Sequence, residues 1–346
     1  YARWGNVAGW SRMEADPDIY GALENRLGSM FGGSKIHLSM TITMLGFSIV
    51  PAIVQKGMIF ADKKLHTVVW EACRLARDHG AQISRFEHQN MADLERLLIE
   101  HRDVSPKMIA VDGVYSISTE LAPIKELQAL CAKYDAWLYV DDAHGFGILG
   151  QGPTSSNPYG TGGSGVVNYF GGDYDRTFYV SGFAKAFCSS SAFTTIPRLF
   201  KDNLRSQSLS YLFSNPVSPY TIGTVQAVLD LNEKIGEQAR ETIRANAGYF
   251  MAGLNSLGLK ALNNLEQPVV FLEAGTFPQL VAVAEKFWSS GIVAGLRAYP
   301  VVPPDQCGLR FALSPLHTRA HLDHVLNVLS DLKGANAIQL KEASGR

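Results

Sequence analysis

Little in this sequence is extreme, and each shortage narrows what the chain can be. Charge is scarce: Asp, Glu, Lys and Arg make up 18% of 346 residues, with 31 basic side chains against 32 acidic ones. That balance gives no electrostatic footprint for nucleic acid or an anionic membrane. Cysteine is scarce as well. Cys73, Cys131, Cys188 and Cys307 lie far apart and form no CxxC pair, so reduced, mostly buried thiols are expected rather than disulfides or zinc. Long apolar runs are missing. The most continuous one, MLGFSIVPAIV (44–54), is too short and too interrupted to span a bilayer. No leader of positive, then apolar, then small residues opens the chain, which makes a cytoplasmic protein the expectation. The first residue is Tyr1 rather than Met, as in a piece cut from something longer. No solenoid or propeller period is present.

What is present is enough apolar residue, 46%, to bury a substantial core. From residue 67 onward helical and strand patterns alternate. TVVWEACRLARDHG reads as a helix closed by Gly80, then AQISRF as a strand. Met91, Leu94, Leu97 and Leu98 recur at helical spacing before the buried strand KMIAV (107–111). Pro123 opens a helix with Ile124, Leu127, Leu130, Cys131 and Tyr134 on one face. WLYVD (137–141) and TFYV (177–180) are further strands. The fold class is therefore α/β: a mainly parallel sheet with helices on both faces. After YLFSNPVSP (211–219) the texture changes to a long helix, about 220–256, short strands such as PVVFLEAG, and a last helix near 318–333. This predicts a large domain over 1–217 and a smaller C-terminal α+β domain over 218–346. QGPTSSNPYGTGGSGVVNYFGG (151–172) reads as a long loop, either a lid or a mobile excursion.

Ligands of such sheets gather at the carboxyl ends of the strands. Asp112 follows one strand and Asp141 ends the next, so both should face one crevice. VDDAHGFGILG (140–150) adds Asp142 and His144. An aspartate and a histidine three apart could ligate a metal, but no third ligand stands at useful spacing. A structural aspartate capping the next turn is a second reading. The third joins this stretch to Lys185 in YVSGFAKAFCSSSAF. Small and apolar neighbours would desolvate that lysine and make its amine nucleophilic, although a surface lysine in a serine-rich loop is the plainer reading. A carboxylate for a pyridinium nitrogen and a lysine for a Schiff base are together what pyridoxal phosphate needs.

Eight stretches, in order, resemble the α-oxoamine synthase family of fold-type I pyridoxal-phosphate enzymes. They are YGALENRL (20–27), FADKKLHT (60–67), FEHQNMADLERLL (86–98), DGVYSISTELAPI (112–124), VDDAHGFGILG, YVSGFAKAF (179–187), YLFSN (211–215) and YPVVPPDQCGLRFALSPLHT (299–318). The last two are most similar to the 2-amino-3-ketobutyrate CoA ligase branch. The resemblance implies pyridoxal 5'-phosphate as cofactor and a decarboxylative condensation of an amino acid with an acyl thioester, giving an α-aminoketone and CO2. It implies that Lys185 holds the cofactor and moves the α-proton, and that Asp141 binds the pyridinium nitrogen. His144 and Ser116 would reach the phenolic oxygen, and His66 would stack on the ring. Arg310 would grip the substrate carboxylate. Phe213 and Ser214 would approach the phosphate from a neighbouring subunit, implying a homodimer with shared active sites.

The match has gaps. Gly182 stands where the family has a phosphate-site threonine, Ser191 and Ala192 replace a glycine pair, and SMTITM (39–44) replaces a Ser-Gly-aromatic turn. The usual His-Asn-Asp reads His88-Gln89-Asn90. Ser181, Ser189, Ser190 and Thr41 are the candidates for the lost hydroxyls. These changes leave the covalent chemistry intact and bear on cofactor affinity and the shape of the substrate pocket. A thioester donor need not carry much charge itself, so coenzyme A and a carrier-protein arm both stay open. The alternatives are an aminotransferase or racemase on the same fold, or a partner subunit without catalysis.

Overall fold

Two compact units make up the computed structural model, which describes residues 10–201, 204–263 and 266–334. One unit holds the described residues up to Tyr115 together with Leu121–Gly236; the other holds Ser116–Glu120 and the described residues from Glu237 on.

In the first unit the elements run α1 (Asp18–Met30), β1 (Lys35–Ser39), α2 (Ile42–Val54), β2 (Met58–Asp62), α3 (Thr67–Asp78), β3 (Gln82–Phe86), α4 (Met91–Glu100), β4 (Lys107–Asp112), α5 (Ile124–Lys133), β5 (Ala136–Asp141), α6 (Val166–Tyr169), β6 (Thr177–Gly182), β7 (Ala192–Ile196), α7 (Leu204–Gln207) and α8 (Leu209–Phe213). The seven strands form one sheet in the order β1-β7-β6-β5-β4-β2-β3. β3, β2, β4, β5 and β6 are mutually parallel, and β7 runs antiparallel to both β6 and β1. The mainly parallel sheet expected from the alternation of elements is what forms. β4 and β6 are buried at every residue, as a sheet covered on both faces requires.

The apolar run 44–54 is α2, whose Leu45, Ile49, Val50 and Ile53 pack with Ile59, Cys73, Met108 and Tyr139 in one core cluster. Each fully buried side chain of this size contributes about 1.5–3 kcal/mol. The run is apolar nearly all round because it is enclosed on most sides. Cys73, Cys131 and Cys307 are buried free thiols, while Cys188 is exposed. No helix among the described residues is long and apolar enough to cross a membrane.

The stretch 151–172 is no open loop. Gln151 pairs with Thr161 and Phe146 with Ser164 as isolated bridges, and the Gly165 N–H donates to the Leu149 carbonyl at 2.6 Å. Its tip is exposed over 151–156, but Tyr159 and 163–168 are buried. Backbone pairing between its two ends, which composition does not reveal, closes the excursion on itself.

α9 (Pro219–Ser256) carries the chain from the first unit into the second. The compact units divide at Gly236, inside this helix, whereas the change in sequence texture suggested 217/218. The reason lies in the contacts of its first half. Ile222, Val225 and Leu229 are buried, and Arg26 of α1 reaches Asp230 and Glu233 at 2.7 Å each. The second unit adds β8 (Val269–Gly275), α10 (Phe277–Ser289), β9 (Gly295–Arg297), β10 (Cys307–Ala312) and α11 (Arg319–Gly334). Its antiparallel sheet, β8-β10-β9, shares a core with the helices through Phe250, Leu272, Val283, Phe287, Leu309 and Leu329.

A Cβ on Gly150 would lie 1.8 Å from the Thr161 carbonyl oxygen, which belongs to the backbone and cannot swing aside. Gly150→Ala is therefore expected to lower stability by about 2 kcal/mol, measured as a shifted urea-unfolding midpoint; an unshifted midpoint would show that the excursion does not close as described.

Candidate active site

Three strands of the sheet end in aspartate: β2 at Asp62, β4 at Asp112 and β5 at Asp141. Asp112 and Asp141 are direct partners across the parallel β4–β5 pairing, about 4.8 Å apart by strand spacing. Both are buried, at 4% and 6% exposure. The carboxyl of Asp112 is pushed well above its ordinary range, first by burial and then by the charge of Asp141. Two acids so placed cannot both ionise cheaply without a cation beside them.

A cavity of about 160 Å³ opens in front of this pair. Asp112 and Asp141 form part of its wall, with Lys185, His66, His144 and Thr43 around the rest. The topology explains the convergence. His66 follows β2, His144 follows β5 and Lys185 follows β6, so each comes from the carboxyl end of a parallel strand.

His66 does two jobs. Its backbone N–H donates to Asp112 Oδ1 at 3.1 Å. Its Nδ1 accepts from the Val68 N–H at 3.2 Å, capping α3. The ring hydrogen is therefore placed on Nε2. One histidine thus caps a helix and lines the cavity. Asp141 Oδ1 accepts from the Ala143 N–H at 3.1 Å, which ties the acid to the turn bearing His144.

Lys185 follows the plainer of its two readings: the turn after β6 leaves it exposed, and its small and apolar neighbours in sequence do not enclose it. Its ammonium pulls the Asp112 carboxyl down, against the larger upward effects of burial and Asp141.

The other predicted residues are not among those that line this cavity. Ser181 is fully buried, and its hydroxyl donates to the Asp142 carbonyl at 3.0 Å. Ser116 belongs to the second unit, where its carbonyl accepts from Arg310 Nε at 3.0 Å. Arg310 is held down to about 10 by burial and by Arg297. Phe213 is 82% exposed at the end of α8, and Ser214 is half-buried beside it. Thr41 is spent as the cap of α2, accepting from the Met44 N–H at 3.1 Å. Thr43 is the hydroxyl that lines the cavity instead.

The departures from the family motifs have local explanations. A Cβ on Gly182 would come 2.9 Å from the Ser191 carbonyl and 3.2 Å from the Ile42 side chain, so a side chain there is kept out first by backbone and then by Ile42. Asn90 caps α4 by accepting from the Asp93 N–H at 3.0 Å. Sequence reasoning missed Asp62, which accepts from His88 Nδ1 at 2.9 Å and from the Gln89 N–H at 3.0 Å. These bonds hold the Asp62 carboxyl below its ordinary range against the effect of burial. Asp112 was placed at the crevice but given no role. The shared signal, a strand ending in Asp, occurs three times in the sequence.

The sequence profile of "Aminotransferase class I and II" matches residues 59–329. This chain belongs to that family. It is 31% identical over 317 residues to the 8-amino-7-oxononanoate synthase of Methylobacillus flagellatus, covering 91% of this chain and 76% of that one. It is 30% identical to the Cellvibrio japonicus enzyme of the same name, over 98% of this chain and 82% of the relative. In fold it matches the serine palmitoyltransferase of Sphingomonas wittichii, with a TM-score of 0.86 at 22% identity over 97% of this chain and 82% of that one. It also matches the S. paucimobilis serine palmitoyltransferase solved with a pyridoxal-phosphate adduct of myriocin, with a TM-score of 0.84 at 22% identity over 96% and 81%. The chain is a fold-type I protein, and the cofactor of that family is pyridoxal 5'-phosphate.

The residues present fit that group. The paired acids of β4 and β5 suit a protonated ring nitrogen. The first turn of α2, with Ile42 and Thr43 on the cavity wall, offers the N–H groups and positive dipole end that suit a phosphate. Among the described residues no group of three or more His, Cys, Asp or Glu could hold a metal ion.

A carboxyl whose folded pKa is raised contributes full stability below its ordinary value and loses it as pH rises. Asp112→Asn removes that loss. The cofactor-free variant is expected to melt above wild type near pH 8, with the gap closing toward about pH 4. Equal melting at both pH values would show that the acid pair carries no strain.

Proposed function

We propose that this protein condenses an amino acid with an acyl thioester, with loss of CO2, to give an α-aminoketone. The observation that carries the reading is the single cavity shared by Lys185 and the in-register pair Asp112 and Asp141. The curated relatives cited above bear the name 8-amino-7-oxononanoate synthase. Pyridoxal phosphate, when bound, supplies an electron sink for negative charge at the amino acid's α-carbon.

In this reading Lys185 binds the cofactor covalently and takes the α-proton on its amine once released. Asp141 holds a proton on the ring nitrogen, and Asp112 fixes the backbone of His66 through its N–H. His66 covers the ring face, while His144 and Ser116 orient its oxygen. Arg310 binds the substrate carboxylate, for which its planar fork is suited. Phe213 and Ser214 reach the phosphate of a second copy, which makes the working unit a homodimer with shared active sites. The exposure of Phe213 at 82% supports that role. The thiol leaving group belongs to coenzyme A or a carrier-protein arm.

Purified protein is expected to show the visible absorbance of lysine-bound pyridoxal phosphate, and Lys185→Ala to lose both the band and activity, the latter by at least ~1000-fold. CO2 release from a panel of amino acids should require a thioester, with the aminoketone identified by mass spectrometry. A keto acid formed without thioester would instead indicate transamination. Arg310→Lys should raise KM about 10- to 100-fold with a smaller change in kcat, since one charge-assisted fork is lost. Light scattering should return twice the chain mass.

A further inference from the structure

Asp142 has no part in that chemistry, yet it is completely enclosed, at 0% exposure. Side chains alternate along a strand, and where Asp141 turns to the cavity, Asp142 turns away. Its Oδ2 accepts from the Val166 N–H at 2.8 Å and from the Tyr179 hydroxyl at 2.8 Å. Its backbone is equally committed. The N–H donates to the Val180 carbonyl at 2.8 Å, and the carbonyl accepts from Ser181 Oγ at 3.0 Å and the Phe146 N–H at 3.2 Å. One residue thus joins the His144 turn, β6 and the far end of the 151–172 excursion.

Room for this carboxyl is made by omission. A Cβ on Gly113, Gly145 or Gly165 would lie 2.6, 2.2 or 2.5 Å from one of its oxygens. At Gly145 the acid supplies all three nearest atoms, while Gly113 also meets Val166 at 2.7 Å and Gly165 the Tyr179 hydroxyl at 1.9 Å. Burying a carboxyl costs free energy even when it is hydrogen-bonded, and Oδ1 has no hydrogen-bond partner. Closing a loop does not need such a group. What distinguishes the position is its neighbours: the turn it clamps begins at Ala143, whose N–H orients Asp141, and continues to His144 on the cavity wall.

We propose that Asp142 is a positioning residue for the active site, clamping the 143–150 turn against β6 and the excursion so that Asp141 and His144 hold their orientation in the cavity. This rests on the assignment of Asp141 and His144 to the cofactor site. The titratable groups that face it are Tyr179 and Tyr174 from across the sheet and Asp141 beside it on the chain. Burial pushes the Asp142 carboxyl up to about 7, against the pull of Val166 and Tyr179. The clamp is therefore neutral below that pH and charged above it, and the enclosure favours the neutral form.

The test is titration of cofactor-free protein with pyridoxal phosphate, followed by tryptophan fluorescence, at about pH 6 and about pH 8. Asp142→Ala is expected to weaken binding at least ~10-fold while circular dichroism shows a folded protein, and Tyr179→Phe about 3-fold. Asp142→Asn keeps the acceptor and cannot ionise. It should bind within about 3-fold of wild type near pH 6, and the ratio of wild-type to Asn dissociation constants should rise toward pH 8. Wild-type affinity in a folded Ala variant would overturn the proposal, as would an Asn variant as weak as Ala near pH 6. If Ala does not fold, Asn and Tyr179→Phe decide: a constant ratio across pH with unchanged Tyr179→Phe binding overturns it. Failure of wild type itself to bind would remove the cofactor reading first, and is told apart by that single titration.

Discussion

The in-register pairing of β4 with β5 is the constraint on which the site depends. It sets Asp112 against Asp141 at the carboxyl edge of the sheet, and a slip of one residue would turn one of them to the opposite face. Burial and the neighbouring acid make charge on Asp112 costly there. The sheet can hold the two together because the strands leading into them are buried and apolar, KMIAV and WLYV, and their burial outweighs the repulsion. The cavity is in that sense loaded in advance: the free energy spent on crowding two acids is recovered when positive charge arrives. Lys185 supplies one such charge from the next strand.

Around that pair the chain solves familiar tasks with unfamiliar residues. Ile42 occupies space that a side chain at position 182 would need. Asn90 does the capping that an aspartate could have done. Thr43, two residues beyond the cap, lies on the wall while Thr41 holds the helix end. These are local exchanges between residues that touch, and none alters the acids, the lysine or the two histidines of the cavity.

Most of the framework could be read from periodicity. Strands 107–112, 136–141 and 177–182 and the helices between them stand close to where alternating apolar patterns put them. Lys185, His66, Asp141 and His144, all named from motifs, line one cavity. What escaped the sequence depends on partners distant in the chain. The closure of 151–172 rests on a backbone bond from Gly165 to Leu149, and the role of Asp142 on Val166 and Tyr179, 24 and 37 residues away. The division inside α9 follows from ion pairs with Arg26, not from a change in composition.

Three glycines face one carboxyl, but it holds them to different degrees. At Gly145 the three atoms nearest to an added Cβ all belong to Asp142, whereas Gly113 is closed by Val166 as well, and Gly165 by the Tyr179 hydroxyl and its own φ of +89°. Drift at Gly145 should therefore follow the loss of the acid, while Gly165 should stay glycine as long as Tyr179 remains, an order of substitution written by which side chain fills each space.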